Sequence, residues 1–174
     1  MGASDLTIKL LDQYSLAELM AWSVDPQHSR LAFRAAWALE HILLDNPHLF
    51  TSLYPEILKN YSYTMNWSSL RSYTKLLMWI LSDKNQAFTC TELEEEAILE
   101  KTFAVVEDRA CPVAVLVNGF DILKAMIPNY PWVAQELQLL LELHLEKEPS
   151  AALKSRGHKL MKHLAKLSAR QRLK

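Results

Sequence analysis

Apolar and polar positions along this chain follow a helical period over most of its length. In residues 28–45, Leu31, Ala35, Leu39 and Ile42 recur at spacings of three and four, which predicts one apolar helix face. The same period returns in residues 150–171, where the apolar stripe consists of Leu153, Leu160, Met161, Leu164 and Leu167. Cations occupy the opposite side of that segment. The pattern therefore predicts amphipathic helices near both ends of the chain.

A short unit recurs four times within the predicted helices. Each copy has a polar residue, a small residue, three further residues and a large apolar residue. The copies are Arg34-Ala35…Leu39, Arg71-Ser72…Leu76, Asn118-Gly119…Leu123 and Arg156-Gly157…Met161. The small residues lie 37, 47 and 38 positions apart, a period typical of stacked helix pairs. We therefore expect an all-α fold, and more specifically an α-solenoid of about four helix pairs.

Prolines and the repeat spacing together predict where the helix pairs lie. The pairs are expected near 15–45, 48–82, 92–127 and 131–171, within one domain spanning 1–174. Asp25-Pro26 separates the two helices of the first pair, and Asn46-Pro47 and Tyr130-Pro131 open later pairs. The spacing of 47 implies a longer loop at 82–91. Pro55 lies about two turns into its helix and is expected to kink or restart it.

Composition and charge add an asymmetry to this picture. Half of the 174 residues are apolar and only three are glycine, which disfavours β-rich folds and phosphate-binding loops. Residues 1–148 carry 11 Lys and Arg against 20 Asp and Glu, whereas residues 149–174 carry eight cations and no acid. We expect the basic end to form a terminal helix with a solvated cationic face.

Targeting signals and cysteine usage bear on the expected compartment. The sequence has no secretory signal and no apolar run approaching about 20 residues, so no membrane partner is expected. Cys90 and Cys111 do not make a disulfide framework. These features favour a cytoplasmic location.

One set of residues resembles a known superfamily. Asp25-Pro26 followed by Arg34-Ala35-Ala36 is similar to the Asp-Pro turn and second-helix arginine of HEAT/armadillo-like helical repeats. The resemblance covers about residues 15–170 and extends to small bacterial HEAT-like proteins of unassigned function. It implies an α-α superhelix whose second helices line a concave face. Asn118 replaces the arginine in the third repeat, and only the first repeat has the Asp-Pro turn.

Candidate catalytic chemistry is sparse. No two histidines are four residues apart, and His158 and His163 are about 140° apart around a helix, which is a poor geometry for one metal ion. The chain contains no Gly-x-Ser-x-Gly motif and no Gly-rich phosphate loop. Cys111 is expected to be a small buried residue rather than a nucleophile. We therefore predict no catalytic residue, metal or cofactor, and the sequence favours a role other than an enzyme.

The strongest binding candidate is a polar stripe that includes a tryptophan on the second helix of the first pair. The repeat register carries this stripe into the later second helices. The predicted groove residues are Arg30, Arg34, Trp37, His41, Arg71, Thr74, Asn118, Asp121, Arg156, Lys159 and His163. In the alternative interpretation, Arg34, Arg71 and Arg156 bridge adjacent repeats through loop carboxylates such as Asp25.

Two functions compete at this stage. The favoured one is a non-catalytic scaffold that binds a protein or peptide along the concave polar groove. The alternative is a nucleic-acid-binding HEAT-like protein that uses the arginine columns and the basic C-terminal helix. HEAT-like alkylpurine DNA glycosylases are a precedent for this alternative. The net acidity of residues 1–148 opposes a polyanionic partner.

Overall fold

The computed structural model describes residues 8–82, 85, 90–146 and 149–171, and all regular structure in these ranges is helical. The all-α fold class is therefore confirmed. Short 3₁₀ turns lie at Ile8–Asp12 and Pro47–Leu49. The α-helices in the described ranges are α1 (Leu16–Trp22), α2 (Ser29–Asp45), α3 (Phe50–Tyr63), α4 (Trp67–Ile80), α5 (Glu92–Glu107), α6 (Val113–Met126), α7 (Val133–Glu146) and α8 (Ala151–Gln171).

The predicted and observed bounds of the helix pairs differ by at most two residues. The predicted loop at 82–91 falls largely outside the described residues. Of the two outcomes expected at Pro55, the restart is wrong, because α3 runs unbroken from Phe50 to Tyr63 with Pro55 inside it; the kink stays a prediction.

Side-chain caps explain several helix starts. Ser15 and Glu18 form a capping box before α1, in which the Glu18 backbone N–H donates to Ser15 Oγ (3.2 Å) and the Ser15 N–H donates to Glu18 Oε2 (2.8 Å). Thr91 and Glu94 repeat this arrangement before α5. Asn66 Oδ1 accepts from the N–H of Ser68 (2.9 Å), which caps α4. Local sequence therefore fixes where these helices begin.

The chain divides into two compact units, residues 1–101 and 102–174, and α5 contributes to both. In the first unit, α2 packs against α1 and α4, and α3 packs against α4. Its core includes Phe50, Tyr61 and Tyr73, all fully buried. The rings of Phe50 and Trp79 stack with centroids 4.0 Å apart.

Helices α2 and α4 run in the same direction. Asn66, at the start of α4, donates through Nδ2 to the Ser29 carbonyl at the start of α2 (3.3 Å). Further along both helices, Ser72 Oγ donates to Glu40 Oε2 (2.7 Å), and Lys75 Nζ also contacts the Glu40 carboxylate. The start of α4 thus contacts the start of α2, and later residues of α4 contact later residues of α2, as expected for parallel helices.

A buried polar network links three elements of the first unit. Asn60 Nδ2 on α3 donates to Tyr73 Oη on α4 (3.0 Å) and to the Met20 carbonyl on α1 (3.2 Å). The Tyr73 and Ser23 hydroxyls are 2.5 Å apart, and Ser23 Oγ donates to the same carbonyl (2.6 Å). These bonds satisfy the end of α1, where a helix leaves carbonyls without intrahelical partners.

In the second unit, α6 packs against α7 and α8, and α7 packs against α8. Gly119 on α6 lies close to Val106 at the end of α5, since a Cβ at position 119 would stand 2.5 Å from Val106 Cγ1. His144 Nε2 on α7 lies 3.1 Å from the Val106 carbonyl, and its ring contacts Phe120 edge-on at 5.6 Å. The unit's fully buried aliphatic core includes Ile122, Leu123, Val133, Leu137 and Leu141.

The small residues of the recurring unit are all buried, as the sequence predicts. They are Ala35, Ser72, Gly119 and Gly157. The predicted apolar face of α2 is wrong at one position, because Leu31 is 38% exposed while Ala32 and Ala36 face inward. Met161 and Leu167 on α8 are only partly buried, whereas Leu153, Leu160 and Leu164 are buried. The helix faces are thus rotated slightly from the predicted ones.

Candidate interaction surface

Three rings form a row along the outer side of α2. Phe33, Trp37 and His41 are spaced four residues apart, so successive side chains meet on one helix face. The Phe33 and Trp37 rings are nearly parallel (9°) with centroids 5.9 Å apart, and His41 meets Trp37 edge-on at 5.5 Å. We name these three residues the α2 ladder. Phe33 is 38% exposed, and the other two are partly exposed.

The buried side of α2 explains why the ladder faces outward. Ala32, Ala35 and Ala36 are almost completely buried, so this part of the helix packs closely through small side chains while the bulky rings lie on its exposed side. The sequence prediction included Trp37 and His41 but missed Phe33. Its spacing of four from Trp37 was the signal that could have found it.

Three exposed arginines on α2 and on the neighbouring α4 have no carboxylate partner in the part of the chain that the structure describes. Arg30 and Arg34 are exposed on α2, and Arg71 is exposed on the neighbouring α4. No carboxylate within the described ranges lies within ion-pair distance of any of the three. Arg34 and Arg71 each precede the small residue of their repeat. These cations are therefore available to a ligand.

One predicted groove residue of the first unit needs correction. Thr74 is fully buried, and its hydroxyl donates to the Arg71 carbonyl (3.0 Å) within α4. It therefore supports the helix and does not line an exposed surface. A shift of three residues from Arg71 turns the side chain about 60° around the helix, which is enough to bring it into the core.

In the second unit, two predicted groove residues pair with each other. Arg156 Nη2 on α8 lies 2.7 Å from Asp121 Oδ2 on α6, in an ion pair whose Asp121 side chain is 15% exposed. Burial raises the pKa of the Asp121 carboxyl above its usual value, and the Arg156 and Lys124 charges oppose that shift. Lys159 is exposed, while Asn118 and His163 are partly buried.

Of the three arginines expected to pair with loop carboxylates, Arg156 forms an ion pair, but with Asp121 on α6. Its partner lies on the preceding second helix rather than in a loop. Asp25 has no such role, because its carboxylate binds His28 Nδ1 (2.9 Å) and the Gln27 N–H (2.8 Å) within its own turn. The His28 contact is the main reason that the pKa of Asp25 is lowered.

Glu40 is a bridging residue that the repeat pattern does not predict. Its side chain is 5% exposed and pairs with Lys75, which is 40% exposed. The available signal was an acid placed among the apolar residues of α2. Glu40–Lys75 and Asp121–Arg156 both join an acid on one second helix to a cation on another, and both span 35 residues. Among the described residues, each unit thus contains an ion pair of this kind.

The cysteine environments do not favour nucleophilic chemistry. Burial raises the pKa of Cys90 to about 11 and that of Cys111 to about 12, so both thiols are protonated at neutral pH. Among the described residues, no group of three or more His, Cys, Asp or Glu side chains is arranged to hold a metal ion. No described helix is both long and apolar enough to cross a membrane.

Comparison with known proteins gave no relative. No family model matches the chain, and neither the curated proteins nor the solved structures contain a match.

Proposed function

We propose that this chain is a non-catalytic helical-repeat scaffold of the HEAT-like type that binds a protein or peptide through the outer side of its second helices. The repeat assignment is supported by contacts that recur at nearly constant sequence separation. Asn66 to Ser29 and Lys101 to Thr64 each span 37 residues, and His144 to Val106 spans 38. Equivalent parts of successive helix pairs therefore meet within each unit.

The observation that carries the binding proposal is the α2 ladder with its unpaired arginines. Tryptophan and arginine are the residue types that dominate binding energy at protein interfaces. Neighbouring rings hold Trp37 in place, so little side-chain entropy is lost when a ligand covers it. Arg30, Arg34 and Arg71 supply donors for carboxylates. The expected ligand is an acidic peptide segment with an apolar side chain that covers Trp37.

Peptide selection against the full chain tests this function. A random peptide library is panned on the wild-type protein and on the Trp37→Ala/Arg34→Glu variant. We expect the wild type to enrich acidic peptides that the double variant no longer binds. The matched control is Tyr63→Ala/Lys59→Glu, which changes an exposed ring and an exposed cation on α3. The control should retain the peptides, and equal losses in both variants would refute the α2 ladder as the site.

A second candidate function, nucleic-acid binding, rests on α8. Its exposed side carries Lys154, Lys159, Lys162 and Lys166, and its described residues include no acid. Binding of labelled single- and double-stranded DNA at low and moderate salt tests this function directly. A salt-sensitive interaction lost on neutralising Lys154, Lys162 and Lys166 would favour nucleic acid over the peptide scaffold.

A further inference from the structure

Helix α7 presents a narrow apolar stripe to solvent. Trp132, just before the helix, is 54% exposed, Leu139 is 53% exposed and Leu143 is 49% exposed. At about 100° per residue these three side chains fall within roughly 40° of one another around the axis. They span about 16 Å along it, at 1.5 Å per residue. We name Trp132, Leu139 and Leu143 the α7 stripe.

Buried residues on the opposite side of α7 and a stacked ring hold the α7 stripe in place. Val133, Leu137 and Leu141 occupy the opposite side of α7 and are fully buried. The Trp132 ring stacks on Phe103, with centroids 5.6 Å apart and planes 18° from parallel. A ligand would therefore meet a preformed surface and lose little entropy in ordering it.

Acids flank the stripe on both sides. Glu136 lies about 40° to one side, while Glu142 and Glu146 lie about 40–80° to the other, and all three are exposed. Gln138 Nε2 donates to Glu142 Oε1 (2.9 Å) and helps to position that carboxylate. The helix contains no Lys or Arg. The surface is thus an apolar stripe with one exposed carboxylate on one side and two on the other.

We infer that the α7 stripe docks a cationic amphipathic helix of a partner protein. A straight stripe three turns long matches the apolar face of a second helix, whose residues at i, i+7 and i+11 would cover Trp132, Leu139 and Leu143. Lysines or arginines beside that face would meet Glu136, Glu142 and Glu146. This surface lies in the second unit, whereas the α2 ladder consists of residues of the first.

Charge also argues against other occupants. In a symmetric contact between two copies, α7 against α7 would bring carboxylates against carboxylates. The α8 helix of a second copy has the right charge, but its apolar residues Leu153, Leu160 and Leu164 are already buried. Anionic lipid headgroups would be repelled by the acidic flanks. A basic amphipathic helix of another protein can cover the α7 stripe and also pair with the flanking carboxylates.

Anisotropy measurements with model peptides test the inference on the full chain. The probe is a labelled amphipathic helix of leucine and lysine, and its counterpart has glutamate for lysine. We expect the lysine peptide to bind and the glutamate peptide not to bind. Leu139→Gln/Leu143→Gln should weaken binding by about tenfold or more, and Glu136→Lys/Glu142→Lys should do the same. Melting curves check that each variant is folded.

Matched controls separate docking from general attraction of a basic peptide to an acidic protein. Leu93→Gln removes another exposed leucine, and Glu92→Lys/Glu96→Lys reverses two exposed acids on α5. Both controls should bind within about twofold of wild type, a small difference in free energy. Three results would overturn the inference: equal loss in the controls, equal binding of the glutamate peptide, or self-association of the protein that Leu139→Gln abolishes.

Discussion

At the scale of single residues, two helical glycines with the same place in the repeat have different surroundings. A Cβ at Gly119 would stand 2.5 Å from Val106 Cγ1, a branched side chain with little freedom to move. A Cβ at Gly157 would stand 3.1 Å from Leu145 Cδ2, the end of a more flexible side chain. Only the first position is closed to a methyl group.

Alanine at the two glycines should therefore act in opposite directions. Gly119→Ala should lower the free energy of unfolding by roughly 1–3 kcal/mol because it overpacks the contact with Val106. Gly157→Ala should be neutral or raise it by up to about 1 kcal/mol, since alanine is the better helix former. Urea denaturation of both variants measures this. Equal effects at the two positions would show that the α5–α6 contact is looser than described.

The cysteines give a prediction about pH. Because their folded pKa values are raised to about 11 and about 12, iodoacetamide should alkylate the native thiols at a rate that still increases above pH 10. In urea, where the thiols are exposed, the alkylation rate should level off once the pH exceeds the ordinary thiol pKa of 9.0. Since the unfolded chain loses these protons first, stability should also fall as the pH rises above about 9. Because Cys90 and Cys111 are only partly buried, a native alkylation profile that levels off below pH 9 would show that this partial burial does not raise the pKa of the two thiols.

At the scale of elements, the ion pair between α6 and α8 has one partner that is much more buried than the other. Asp121 is 15% exposed and Arg156 is 44% exposed. The raised pKa of Asp121 shows that burial costs its charged form more than the neighbouring cations return. Removing the cation and removing the acid should therefore have different consequences.

Arg156→Gln should lower the free energy of unfolding at pH 7 by roughly 1–3 kcal/mol, because it leaves a largely buried carboxylate without its cation. Asp121→Asn should cost less than about 1 kcal/mol, since no buried charge remains. The raised folded pKa also means that the charged form of Asp121 is unfavourable at neutral pH and that acidification relieves it. The difference in free energy of unfolding between the two variants should thus become smaller towards pH 4. A difference that does not change with pH would contradict this account.

At the scale of the whole molecule, α8 completes the second unit. Leu153, Leu160 and Leu164 bury their side chains against it, and burying one leucine contributes roughly 1.5–3 kcal/mol. Three leucines together are comparable to the total stability of a domain, about 5–15 kcal/mol. The exposed lysines of α8 contribute little by comparison.

Ending the chain at Pro149 should therefore unfold or aggregate the protein. Replacing Lys154, Lys162 and Lys166 with glutamine should leave the melting temperature within a few degrees of wild type, because exposed charges add little. Circular dichroism melts and size-exclusion chromatography distinguish the two outcomes. A soluble truncated protein of unchanged stability would mean that α8 is not part of the packed unit.

The sequence predicted the elements far better than the contacts between them. Prolines, caps and the period of small residues depend on local chemistry, so the helix bounds could be placed within two residues. The partners of Glu40 and Arg156 depend on how far one helix slides along the next, which a single sequence does not encode locally. Thr74 and Leu31 show the same limit, because a rotation of one residue, about 100°, exchanges core and surface.

The hydrogen bonds around Tyr73 have a fixed direction. An amide nitrogen such as Asn60 Nδ2 can only donate, so the Tyr73 oxygen accepts from it and the Tyr73 proton is directed to Ser23. The Ser23 proton is then committed to the Met20 carbonyl. Reversing the direction of these hydrogen bonds would require an acceptor in place of the donor that Asn60 supplies. An aspartate at position 60 would supply one, drawing the tyrosine proton away from Ser23 and turning the polarity of the entire relay around.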